Sequence, residues 1–120
     1  MNDWNDSVPI YLQLRAIIVQ RILAGTLAEG EAVPSVRQVA ADEQINPITI
    51  SKTYQMLVDE GLLEKRRGLG MFVLPEARTL ALQQEREAFL NDEWPVIKAR
   101  IELLDLELAA LLGNAQGGGQ

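Results

Sequence analysis

The residues best placed to do chemistry here are cations. Lys65, Arg66 and Arg67 stand in a row before Gly68-Leu69-Gly70, and Arg37 and Lys52 lie upstream among Ser35, Thr49 and Ser51. Cations grouped with hydroxyls suit ion pairing and hydrogen bonding to phosphate, although a run of charge is on most proteins a solvated face. In this chain 17 acidic residues outnumber 11 basic ones and the net charge is −6, so the run is a local concentration on a surface that is otherwise acidic. That contrast favours an external anion over the solvated face. Other chemistries drop out early. With no cysteine and no histidine there is no disulfide, no structural zinc site, no thiol or Ser-His nucleophile and no imidazole acid or base. No metal and no cofactor are expected, and Gly68-Leu69-Gly70 lacks the strand-to-helix context of a phosphate-binding glycine loop. An enzyme is the class the residues support least.

The elements that must position those cations follow from periodicity and caps. Apolar residues at Ile10, Leu14, Ile17, Ile18 and Ile22, ending before Gly25, predict an amphipathic helix over 9–24. A loop over 26–34 follows, with a short edge segment at 31–33. Ser35 with Gln38 three residues later forms a capping box, opening a helix from Val36 to Glu43 that buries Val36, Val39 and Ala40. Asn46-Pro47 opens the next helix, with Asn as cap and Pro where its missing N–H costs nothing. Ile50, Tyr54, Leu57 and Val58 form its buried stripe and Gly61 its left-handed stop. Two short helices joined only through Gln44–Asn46 are a helix-turn-helix candidate. On the third helix, Ile48, Thr49, Ser51, Lys52 and Gln55 face away from the stripe. Small and polar side chains there suit a helix lying in the major groove, although an ordinary exposed face reads equally well from this helix alone. Arg37 opposes the dipole of its own helix, a local cost that an external anion would offset. After Gly61 the apolar ends, basic middle and paired glycines of 62–74 predict a β-hairpin. Helix, helix-turn-helix and hairpin together give a mainly α fold with a small β-wing, the order of a winged helix.

At 120 residues the chain has room for one small core and an appendage. A boundary is expected at Leu74-Pro75. Residues 1–75 carry seven Lys/Arg and nine Asp/Glu (net −2), and 76–120 carry four and eight (net −4). Beyond the boundary come Leu80, Leu82, Phe89 and Leu90, then a break over 91–95 at which Asn91 or Asp92 would cap a new helix. In that helix Ile97, Ile101, Leu104, Leu108 and Leu111 are spaced as a heptad seam, which either packs back on the core or joins two chains. Residues 114–120, NAQGGGQ, read as a disordered tail. The acidic N-terminus and the absence of a long apolar run predict a cytoplasmic protein.

Pro9-Ile10-Tyr11-Leu12-Gln13-Leu14, Gly25-x-Leu27-x-x-Gly30-x-x-x-Pro34-Ser35-x-Arg37-x-x-Ala40, Asn46-Pro47-x-Thr49-Ile50, and Tyr54-x-x-Leu57-x-x-Glu60-Gly61-Leu62 followed by Gly68-x-Gly70-x-Phe72-Val73 carry a resemblance. Over residues 9–74 the chain resembles the DNA-binding domain of GntR-family transcription regulators. Asn-Pro at the start of the third helix and the short C-terminal part resemble the YtrA-like branch. The resemblance implies a winged helix-turn-helix domain over 1–75 and a helical dimerisation segment over 76–113. The latter would use Leu82, Phe89, Ile97, Ile101, Leu104, Leu108 and Leu111. It implies that Arg37 and the first turn of the third helix, with Pro47, Ile48 and Thr49 in it and Ser51 beside it, read the major groove; Asn46 caps that helix, with a contact to phosphate as its lesser reading. Ser35, Thr49, Lys52 and the wing cations Lys65 and Arg66 would meet phosphates, and the tip at Arg67-Gly68 would enter the minor groove. Pro47 stands where many relatives carry a base-reading arginine, which shifts specificity toward Arg37, Ile48 and the wing. Members of that branch are typically homodimers that bind palindromic double-stranded DNA and repress their own operons, often those of ABC transporters. The competing class is a winged helix serving as a protein-interaction module without DNA binding, favoured by the acidic net charge and opposed by the basic wing.

Overall fold

A computed structural model describes the backbone of residues 4–117 and the side chains of 4–113. Helix α1, Ile10–Ala24, starts behind Pro9 and stops at Gly25, whose φ of 82° is the left-handed conformation that glycine adopts freely. No side chain caps its first turn; instead the Gln13 amide donates to the carbonyls of Asn5 and Val8, both at 2.7 Å, folding the preceding segment against the helix. Leu14, Ile18, Val19 and Ile22 are buried. Val19 joins that face in addition to the expected stripe, whereas Ile10 stays exposed.

Helix α2 spans Val36–Glu43 and α3 spans Pro47–Asp59. The Asn46 cap forms as the sequence predicts, its Oδ1 accepting from the Ile48 N–H at 2.9 Å; of the capping box one half forms, Ser35 Oγ accepting from the Gln38 N–H at 3.1 Å, while the Gln38 side chain makes no bond back to Ser35. Val36, Val39 and Ala40 pack half-buried against the core instead of inside it. The centre of the core is α3, where Ile50, Tyr54 and Leu57 are buried together with Thr53. A buried hydroxyl must be satisfied, and Thr53 Oγ1 lies 3.1 Å from the carbonyls of both Tyr11 and Thr49, to which it donates, tying α3 to α1. Arg15 and Glu60 join the same two helices by a bidentate pair at 2.6–3.1 Å.

Strands β1, Leu63–Arg66, and β2, Gly70–Val73, form an antiparallel hairpin in which Leu63 pairs with Val73 and Arg66 with Gly70. The edge segment expected at 31–33 is a single bridge, Ala32 to Phe72, flanked by hydrogen bonds from the Val33 N–H to the Met71 carbonyl and from the Val73 N–H to the Glu31 carbonyl. Helix α4, Ala77–Ala88, begins two residues after Pro75, and its Ala77 and Ala81 belong to the same core. This compact unit therefore runs past Pro75 to Gln83, because the first turns of α4 present alanines small enough to sit against the core.

The second unit, from Gln84 onward, departs from the sequence reading in three ways. The expected break and new cap over 91–95 are absent. A single π-helical turn, Phe89–Glu93, leads directly into helix α5, Trp94–Leu103. Pro95 has no N–H to donate, and the widened turn, closed by the Trp94 N–H on the Phe89 carbonyl, accommodates it without ending the helix. Second, no single helix carries the heptad. Leu104 caps α5, Asp105 turns left-handed at φ 58°, and the N–H groups of Asp105 and Leu106 bond back to Glu102 and Ile101, a Schellman ending. Ile97 and Ile101 thus lie on α5, Leu108 and Leu111 on helix α6, Leu108–Gly117, and Leu104 between them. Third, α6 takes in residues 114–117 of the segment read as a tail, and 118–120 lie outside the described residues.

Candidate nucleic-acid interface

The basic residues divide into those with internal partners and those without. Arg66 lies 3.2 Å from Glu64 Oε2 and stacks 4.2 Å over the Phe72 ring, which holds it along the hairpin. Lys52 sits 3.9 Å over the ring of Tyr11, so the α3 cation is steadied by α1. Arg15 is taken by Glu60, and Arg78 donates to the Leu23 carbonyl at 2.9 Å. Arg37, Lys65 and Arg67 are exposed, and among the described residues they form no ion pair and no side-chain hydrogen bond. Three uncommitted cations on α2 and the wing are what an external polyanion would meet.

The polar face of α3 emerges as expected for Ile48, Ser51, Lys52 and Gln55, while Thr49 is half-buried. Asn46 spends its side-chain oxygen on the cap and Pro47 occupies the first helical turn, leaving Ile48 beside them 76% exposed. The Gln55 amide donates to Asp59 Oδ1 at 2.9 Å. That carboxylate at the far end of the face would repel a phosphate backbone, so the N-terminal half of α3 is the half suited to DNA.

The wing tip, Arg67-Gly68-Leu69, is closed by the Leu69 N–H on the Arg66 carbonyl at 2.9 Å, and Gly68 takes a φ of +76° that a side chain would resist. A cleft of about 370 Å³ brings three elements together: Ser35 and Val36 at the start of α2, Ser51 and Gln55 on α3, and Lys65 and Leu69 of the hairpin. Two serine hydroxyls and one free ammonium thus converge between the helix-turn-helix and the wing. Arg37, Lys52, Arg66 and Arg67 lie on these same elements, outside the cleft wall.

Several positioning residues escape sequence reasoning. Tyr54 reads only as core, yet its hydroxyl donates to the Pro34 carbonyl at 2.6 Å and fixes the chain entering α2, one residue before Ser35. Burial pushes its pKa from 10.0 up to about 12, with Arg21 pulling weakly the other way. Thr53 and Tyr11 act similarly, the first on the α1 backbone and the second beneath Lys52. A polar residue inside an apolar stripe is the one signal that could have found Thr53. Among the described residues no group of acidic side chains could hold a metal ion, and no helix is long and apolar enough to cross a membrane.

A three-helix core, a capped helix-turn-helix, a two-stranded wing and free cations beside the second and third helices define a winged-helix DNA-binding protein. The family model described as bacterial regulatory proteins, gntR family, matches residues 10–73, and the chain belongs to that family. It is 40% identical over 76 residues to the uncharacterized HTH-type transcriptional regulator YhcF of Bacillus subtilis, a match covering 63% of each chain. It is 36% identical over 81 residues to the HTH-type transcriptional repressor YtrA of the same organism, covering 68% of this chain and 62% of that one. The chain thus spans a little under two thirds of both relatives. A GntR-family regulator from Listeria monocytogenes shares the fold with a TM-score of 0.75 over 95% of this chain and 98% of its own, at 23% identity. The YtrA-like character of the sequence is in keeping with these likenesses, all of them to proteins named as transcription regulators.

Proposed function

We propose that the chain is a homodimeric repressor that binds a palindromic operator and acts on its own operon. The observation that carries the reading is the set of free cations, Arg37, Lys65 and Arg67, on the elements that meet at one cleft in a chain of net charge −6. Arg37 and the first turn of α3, Asn46 to Thr49, face base edges. Ser35, Thr49, Ser51, Lys52, Lys65 and Arg66 meet phosphates, and Arg67-Gly68 enters the minor groove.

Dimerisation is assigned to the second unit. No residue there is buried among those described, and Leu104, Leu108 and Leu111 are among its exposed apolar side chains. A second copy would cover them, and a twofold pair of reading heads calls for a palindrome. Repression follows the relative named as a repressor, and the resemblance to its branch makes an ABC-transporter operon the first candidate target. The site of action is the bacterial cytoplasm, where the DNA lies.

The test is a titration of the purified chain against the DNA upstream of its own gene and against a random duplex, at rising salt. Binding about a thousandfold tighter to the upstream fragment, with affinity falling steeply with salt, is the expected outcome. Equal affinity for both removes the operator, and no binding even at low salt removes the DNA interface altogether.

A further inference from the structure

The exposed face of α3 is polar except at its beginning. Ile48 is 76% exposed there, whereas Ser51, Lys52 and Gln55 farther along carry a hydroxyl, an ammonium and an amide. The core does not account for it, since the buried stripe of Ile50, Tyr54 and Leu57 occupies the opposite side. A lone exposed isoleucine is ordinary on a protein surface. This one occupies the second residue of the helix that a winged helix lays in the major groove, where N-terminal residues reach base edges.

The local chemistry is hydrocarbon. Asn46 Oδ1 already accepts the Ile48 N–H at 2.9 Å, and Pro47 has no N–H. The Pro47 ring and the branched Ile48 side chain neither donate nor accept. On the major-groove edges of the four bases one apolar feature exists, the C5 methyl of thymine. The edges of adenine, guanine and cytosine would instead be desolvated against isoleucine without a hydrogen bond in return. We propose that Ile48 is a specificity-determining residue that reads a thymine in each half-site by packing on its 5-methyl group. The inference rests on the reading that the first turn of α3 faces base edges. It divides the labour on that surface: Arg37 reads by hydrogen bonds and Ile48 by methyl contact.

Deoxyuridine differs from thymidine only by that methyl, which makes the test direct. The full chain selects duplexes from a random pool, and a tight binder is resynthesised with deoxyuridine replacing each thymidine in turn. One position per half-site should lose about fourfold in affinity, the effect of one buried methyl, and Ile48→Ala should bind the thymidine and deoxyuridine duplexes alike. Ile48 is outside the core, so the variant keeps its fold. The proposal is overturned if no position responds to deoxyuridine, or if the response persists in Ile48→Ala. A pool in which no sequence is enriched overturns the base-reading role of α3 itself, and this inference with it.

Discussion

Arg37 occupies a position its own helix disfavours: a cation in the first turn of α2, near the positive end of the dipole, with no carboxylate among the described residues to offset it. An anion outside the chain would offset that cost, and an arginine exposed at a helix start can present its forked donors to a guanine edge. Arg37→Ala is therefore expected to cost about 1–3 kcal/mol on the operator and much less on random DNA. Quantitative gel shifts on both duplexes check this, and equal losses would mark Arg37 as a phosphate contact. Lys65 carries a different expectation because charge alone recommends it. Replacing it by Gln should weaken binding to every sequence and reduce the salt slope by about 0.9, one lost phosphate contact. Neutralising Arg66 should change the slope less, since Glu64 and Phe72 already hold its guanidinium. That last distinction was invisible in the sequence, where three adjacent cations look equivalent. It arises from strand alternation, which puts Glu64 and Arg66 on one face of β1 and Lys65 on the other.

At the scale of elements, the parts fixed by local chemistry were legible and those fixed by distant contacts were not. Ser35, Asn46-Pro47, Gly25 and Gly61 announce helix ends because each cap or left-handed stop is made by residues a few positions apart. The π-turn at Phe89–Glu93 and the Schellman ending at Asp105 have no such announcement, since both use residues that other positions would tolerate as plain helix. The Tyr54–Pro34 hydrogen bond is equally silent, as its partners are 20 residues apart. Its removal in Tyr54→Phe should cost about 1 kcal/mol at neutral pH and loosen the entry to α2. The variant should also differ in alkali. The unfolded tyrosine loses its proton near pH 10.0 and the folded one near 12, so the wild type has the full contribution below pH 10 and loses it as pH rises toward 12. Denaturant melts at pH 7 and pH 11 should show the wild-type advantage shrinking; a constant difference would contradict the burial argument. Glycines offer a parallel comparison. Gly61 and Gly68 both take positive φ, but a Cβ at Gly61 would also meet Leu80 Cδ2 at 3.1 Å, while one at Gly68 meets nothing within 4 Å. Gly68→Ala should cost about 1 kcal/mol and Gly61→Ala more, as thermal melts would register.

For the whole molecule the question is what would hold two reading heads together in the proposed dimer. The winged-helix unit has a complete core, from Leu14 to Ala81, whereas the second unit has no buried residue among those described. The sequence placed its apolar residues on one heptad stripe; the Schellman ending instead divides them between α5 and α6, so a seam between copies would be made by two short helices meeting their mates at an angle. A glutamate at Ile97 on α5 or at Leu108 on α6 would have to be desolvated in that seam without a partner, at a cost of several kcal/mol. Dimerisation should fail while the melting of the winged-helix unit stays near wild type, because none of its core side chains is touched. Operator affinity should fall with it, since each half-site would be bound alone, without the effective concentration that a tethered second head supplies. Non-specific binding through Lys52, Lys65 and Arg66 should persist at low salt. Sedimentation of Ile97→Glu and Leu108→Glu, paired with operator titration, separates the cases: monomers with weakened operator binding support the two-helix seam, and a stable dimer with wild-type affinity moves the dimer contact elsewhere.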